Sequence, residues 1–161
     1  MKKFIILFLA LVITFGAATS VFAASYKDAI HTAQTNYTTA TQSANTTLQT
    51  ALSAARTTYN TALNTARSAY NAALNAAKTL SDGARTAAIH AATTAYTAAQ
   101  TAASTTYKNA RKAATDAYST ATAAANTAFV SARAAARTAL NTATTAYTAA
   151  QNAAHTTYKN A

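Results

Sequence analysis

Residues 55–77 read ARTTYNTALNTARSAYNAALNAA. Within this stretch Ala55, Ala66 and Ala77 stand eleven apart, as do Tyr59 and Tyr70, Leu63 and Leu74, and Arg56 and Arg67. Eleven residues make three turns at about 3.67 residues per turn, so each class keeps to one line along a nearly straight helix. The stretch therefore predicts a long amphipathic helix rather than a strand or loop.

Outward from this stretch the same beat continues. The alanine line runs from Ala33 through Ala44, Ala55 and every eleventh residue to Ala154. The bulky residues follow as Tyr26, Tyr37, Leu48, Tyr59 and Tyr70, then Tyr96, Tyr107, Tyr118, Phe129 and Leu140. Each line can be labelled by its remainder on division by eleven, and around the axis the order is 3, 7, 0, 4, 8, 1, 5, 9, 2, 6, 10. Lines 3, 7, 0, 4 and 8 form one apolar stripe roughly 130° wide, which predicts a helix burying one face.

The beat breaks at Leu80-Ser81-Asp82-Gly83. Gly83 can adopt the positive φ that redirects a chain, and Ser81 or Asp82 can cap a following helix. Two helices are expected, about 25–80 and 84–160, roughly 80 and 115 Å long at 1.5 Å per residue. Folding back about Gly83 matches Tyr70 with Tyr96, Tyr59 with Tyr107, Leu48 with Tyr118, Tyr37 with Phe129 and Tyr26 with Leu140. It also sets Leu74, Leu63 and Leu52 against Ala92, Ala103 and Ala114, large against small, as close packing requires. The expectation is an all-α fold: an antiparallel helical hairpin turned at Gly83. Tyr147 and Tyr158, beyond the reach of the first helix, suggest self-association of chains, for instance into a bundle.

The first 23 residues have the order of a secretory signal: Lys2 and Lys3, an apolar run from Phe4 to Phe15, and Val21-Phe22-Ala23 as a cleavage site. The expected mature domain is 24–161, secreted or periplasmic, with no cysteine for a lipid anchor or disulfide. Removing Lys2 and Lys3 leaves eleven Lys and Arg against three Asp, a formal charge of +8. That balance suits anionic membrane or acidic wall polymers. The basic residues form no run, and the tyrosines fall in the expected seam rather than on offer for base stacking, so specific nucleic-acid binding is not expected. Arg56, Arg67 and Lys78, with Arg111 and Arg133, each follow a bulky residue by four positions, placing their stems along the seam edge.

Catalytic groups are few. Asp28 and His31 share a helix face, but an acid near a helix start and a surface histidine explain them. His90 and His155 stand alone, no two histidines have helical metal-ligand spacing, and no phosphate-binding glycine loop occurs. No enzyme, metal or cofactor is expected.

Lines 2, 6 and 10 form a threonine-rich ridge. Line 6 carries Thr39, Thr50, Thr61, Thr94, Thr105, Thr127 and Thr138, and line 3 supplies Ala102, Ala113 and Ala135 beside it. A helix built for stability alone would use Glu, Lys and Gln there, because threonine loses rotamer freedom in a helix. Thr61-Ala-Leu-Asn64 and Thr138-Ala-Leu-Asn141 pair a threonine with an Asx three positions on. At these residues the chain resembles the alanine-rich type I antifreeze proteins of fish. That resemblance implies ice binding through a Thr/Ala plane, and its larger members form bundles of folded-back helices. Here a tyrosine seam, extra hydroxyl lines and a basic balance depart from the family's pattern. The eleven-residue period also looks like desiccation-protective and lipid-droplet helices, but those are rich in glutamate and this chain has none. The alternative expectations are a structural spacer or filament subunit of the envelope or matrix, and a basic helix on anionic surfaces.

Overall fold

A computed structural model describes the backbone of residues 2–159 and the side chains of residues 21–159. Two helices account for nearly all of it: α1, Lys2–Ala77, and α2, Asp82–Lys159. They pack against each other as an antiparallel helical hairpin, and the described residues include no strand. The side chains of the expected leader up to residue 20, and residues 160–161, lie outside the described residues. α1 begins at Lys2, not near residue 25.

The connection differs from the one the glycine suggests. α1 ends at Ala77 and residues 78–81 make the turn, so Gly83 is the second residue of α2. No described glycine has a positive φ, and a Cβ built on Gly83 meets nothing within 4 Å. The turn closes instead through short-range hydrogen bonds. The amides of Lys78, Thr79 and Leu80 donate to the carbonyls of Asn75, Ala76 and Ala77 at 3.3, 3.4 and 3.1 Å, a tightened last turn that uses up carbonyls otherwise orphaned at the helix end. The Thr79 hydroxyl also donates to the Ala76 carbonyl, and the Arg85 guanidinium donates to the Leu80 carbonyl at 3.1 Å. Ser81 immediately precedes α2, and its carbonyl accepts the Arg85 amide at 2.7 Å. Asp82 in the first turn complements the helix dipole and lies 3.5 Å from Arg85.

The chain divides into two compact units, each made of a stretch of α1 and a stretch of α2. One comprises 42–122 and contains the turn; the other comprises 1–41 with 123–161. In the 42–122 unit the rings of Tyr59 and Tyr107, and of Tyr70 and Tyr96, lie with centroids 5.3 Å apart, tilted by 36° and 32°. Leu48 and Tyr118 are half-buried at their expected register positions. In the other unit Tyr37 and Phe129 pair at 5.5 Å and 39°, and Tyr26 and Leu140 are half-buried. These three ring pairs obey the register expected from the sequence.

The core, however, is alanine. The buried hydrophobic residues are Ala33, Ala44, Ala55 and Ala77 on α1, and Ala92, Ala103, Ala114, Ala125 and Ala136 on α2. The tyrosines and leucines flank this line and are only half-buried. Ala92, Ala103 and Ala114, the expected partners of the leucines, are among the most buried residues of the chain. The buried line is thus line 0 in α1 but line 4 in α2. From Tyr96 to Leu140 the bulky residues of α2 have moved over to line 8, which leaves line 4 small enough for close approach between Ala92 and Ala136.

This corrects the five-line stripe. Lines 7, 0, 4 and 8 carry the half-buried and buried positions of α1, and lines 0, 4 and 8 carry nearly all those of α2. Ala91, Ala102, Ala113, Ala124, Ala135 and Ala146 on line 3 are all exposed. Two helices touching through alanine present narrow surfaces to each other, so one partner cannot cover the full apolar width.

Candidate surface-binding face

On α2 the buried alanine line fixes where everything else points. Line 6 lies about 165° from the seam, facing away from α1, and line 3 lies about 100° from it. Line 10 falls between them. Within the 42–122 unit this exposed face carries Thr94 and Thr105 with Ala98, Asn109, Ala102 and Ala113. Within the other unit it carries Thr127 and Thr138 with Ser131, Thr142 and Ala135. The α2 residues singled out from the sequence therefore share an exposed helix face in each unit.

Thr39, Thr50 and Thr61 on α1 are also exposed, but they do not extend that face. With line 0 as the α1 seam, line 6 there sits about 130° from the partner helix. In the 42–122 unit, Thr50 and Thr61 consequently point in a different direction from Thr94 and Thr105. Equal remainders imply equal faces only if both helices bury the same line, and they do not. The signal was present in the sequence: the shift of tyrosine from line 4 to line 8 between Tyr70 and Tyr96.

The hydroxyls divide in an informative way. Many threonines donate back to the carbonyl four residues earlier, as Thr38 does to Gln34, Thr93 to Ile89, Thr101 to Thr97 and Thr115 to Arg111, at 2.9 to 3.0 Å. Such a bond fixes χ1 and occupies the hydroxyl proton. On line 6 only Thr127 does so, to Ala123 at 3.0 Å. Among the described residues Thr39, Thr50, Thr61, Thr94, Thr105 and Thr138 make no side-chain hydrogen bond within the protein, so their hydroxyls are available to an outside partner.

The face is low in charge but not uniform. Line 6 is interrupted by Asp116, whose carboxylate accepts a hydrogen bond from Lys112 Nζ at 2.6 Å, both exposed. At its turn-proximal end a shallow open depression is lined by His90, Thr93, Thr94, Thr97, Ala98, Thr101 and Ala102. Two arginines of α2 lie at the seam edge: the Arg111 guanidinium is 5.6 Å from the Tyr107 ring centre and that of Arg133 is 5.4 Å from the Phe129 ring centre. Lys78 Nζ donates to Asn75 Oδ1 at 2.8 Å.

His31 and Asp28 are exposed, and the described residues contain no group of three or more His, Cys, Asp or Glu able to hold a metal ion. No described residue has a buried side-chain polar atom without a hydrogen-bond partner. Among the described residues no helix is long and apolar enough to cross a membrane. Compared with known protein families, curated proteins and solved structures, the chain matches none of them.

Proposed function

We propose that the protein is a secreted, non-catalytic helical protein that binds ice through the Thr/Ala face of α2. The observation that carries this reading is the pairing of exposure with uncommitted hydroxyls. Thr94 and Thr105 in one unit, and Thr138 in the other, stand exposed with hydroxyls that no intramolecular bond occupies. Successive line-6 threonines repeat about every 16.5 Å along the helix. A surface of ordered water is matched by regularly spaced methyl and hydroxyl groups without competing charge. Folding alone gives no reason to keep such a face regular, because the seam lies on the other side of α2.

The test is direct. Thermal hysteresis, ice shaping and inhibition of recrystallisation are measured on the purified protein, and activity in these assays is the expected outcome. Absence of all three removes the reading. What remains is then a structural spacer or filament subunit of the envelope or matrix, in which threonine serves solubility without charge. The basic border of Arg111 and Arg133 supports a third reading, attraction to anionic membrane or acidic wall polymer. Co-sedimentation with anionic vesicles that falls as salt rises distinguishes it.

A further inference from the structure

In the 42–122 unit the buried alanines separate two unlike sides. Tyr59 faces Tyr107 and Tyr70 faces Tyr96, so line 4 of α1 and line 8 of α2 lie on one side, the ring side. Further round α1 in the same direction come Leu52, Leu63 and Leu74, about 65° from its buried line, then Arg56, Arg67 and Lys78, about 98° from it. Further round α2 come Ile89 and Arg111, about 65° from its own buried line. The Arg111 guanidinium lies 5.6 Å from the Tyr107 ring centre, which places it on the ring side directly. The opposite side holds Ala51, Ala62 and Ala73 of α1 and Ala88, Ala99 and Ala110 of α2. Lines 7 and 3 of α1 and lines 0, 7 and 3 of α2, which make up that side, carry no Lys, Arg or Asp in this unit.

Packing sorts the apolar stripe. Alanine fills the seam, and what the ring side leaves open to solvent is leucine and aromatic surface. Leu52, Leu63 and Leu74 are only half-buried, as are the tyrosines of both ring pairs, and Ile89 is 39% exposed. These side chains gain far more than alanine does from an apolar phase. The borders of this side are basic. Arg56, Arg67, Lys78 and Arg111 make no ion pair among the described residues. The unit's two carboxylates are taken elsewhere, Asp82 at 3.5 Å from Arg85 and Asp116 at 2.6 Å from Lys112.

We infer that the ring side of the 42–122 unit is a docking face for a lipid bilayer carrying anionic headgroups. The leucines, Ile89 and the tyrosine rings enter the boundary between headgroups and acyl chains, and the basic side chains reach the phosphates on their long stems. Tyrosine suits that boundary, because its ring is apolar and its hydroxyl is wet. A second copy of this chain fits the face less well. Closing two such faces on each other sets one basic border against another with no carboxylate to intervene. An acidic wall polymer answers the charge but offers no apolar phase to the leucines. The inference rests on the anionic-surface reading, to which it gives a face and a partner. It is independent of ice binding, for which the Thr/Ala face of α2 lies outside the ring side.

The chain has no tryptophan, so single tryptophans in the full chain report the contact. On vesicles of phosphatidylglycerol and phosphatidylcholine in equal parts, the emission of Ile89→Trp is expected to shift to the blue and to be quenched by brominated acyl chains. Ala102→Trp, on the opposite side, is expected to do neither. Replacing Arg56 and Arg67 together with glutamine is expected to weaken vesicle binding at least about tenfold, since each basic residue at such a surface contributes about fivefold. Ala102→Glu with Ala113→Glu lowers the net charge equally on the opposite side and is expected to weaken binding less than about threefold, with helicity unchanged in both variants. Failure to bind these vesicles overturns the inference; binding to soluble polyphosphate would then leave the anionic-surface reading standing without it. Equal shifts from the two tryptophans, or equal losses from the two charge changes, overturn the face while keeping that reading. Ile89→Trp emission that is already blue without lipid and moves to the red on dilution marks a second copy on this face and overturns the inference as well.

Discussion

Tyr59 and Tyr107 face each other with ring centres 5.3 Å apart, and the midpoint of their numbers is 83, although the turn is made by residues 78–81. The same midpoint holds for Tyr70 and Tyr96. The offset from the centre of the turn is about three and a half residues, or roughly 5 Å along each helix. It follows from the lean of helical side chains toward their own N-terminus. A ring on α1 leans away from the turn and its partner on α2 leans toward it. They meet only if the α2 residue lies further from the turn than the α1 residue. Gly83 sits at the centre of symmetry of the pairs for this reason and not because it makes the bend.

The ring pairs are expected to be coupled. Replacing Tyr59 and Tyr107 by leucine, singly and together, should give a double-mutant coupling of about 0.5–1.5 kcal/mol in thermal or denaturant unfolding. Tyr59 combined with Tyr96, which it does not face, should show additive effects.

Gly83→Ala is expected to stabilise the protein by about 0.5–1 kcal/mol, because Gly83 lies inside α2 with ordinary negative φ and open space at its Cβ. Calorimetry or circular dichroism melting checks it. A glycine that formed the bend through positive φ would make the same change destabilising.

Close approach along the alanine line makes its members intolerant of size. Ala103→Leu should cost about 1–3 kcal/mol by overpacking, since Ala103 is 7% exposed. Ala102→Leu, one position away and exposed, should change stability by no more than about 0.5 kcal/mol. The contrast between neighbours, read by melting temperature, tests the placement of line 4 rather than line 3 in the seam.

If the Thr/Ala face of α2 binds ice, replacing Thr105, Thr127 and Thr138 with lysine should abolish thermal hysteresis while leaving helicity intact. The corresponding change of Thr39, Thr50 and Thr61 on α1 should reduce it far less, because those residues point in another direction. Activity that survives the α2 changes would mean another face is used.

Asp116 interrupts line 6 and holds an exposed contact to Lys112. Asp116→Thr should raise hysteresis by restoring the repeat, at a stability cost below about 0.5 kcal/mol for a surface pair of this kind. Lower activity in this variant would show that an unbroken threonine line is not what the surface recognises.

The sequence by itself determined the two helices, their antiparallel pairing and the register of the Tyr37–Phe129, Tyr59–Tyr107 and Tyr70–Tyr96 ring pairs. These follow from an eleven-residue period, which admits only a helix, and from the single position about which the bulky residues mirror. It also marked the threonines as a separate class. Only the tertiary structure decided which line each helix buries, that alanine and not tyrosine forms the core, and that Gly83 lies within α2. The physical reason is that periodicity specifies a residue's angle on its own helix but not where the partner helix stands. The partner's direction is set by the closest approach of two surfaces, here line 0 against line 4 through facing alanines. That choice separates Thr50 and Thr61 from Thr94 and Thr105, which the repeat alone would have merged into one face.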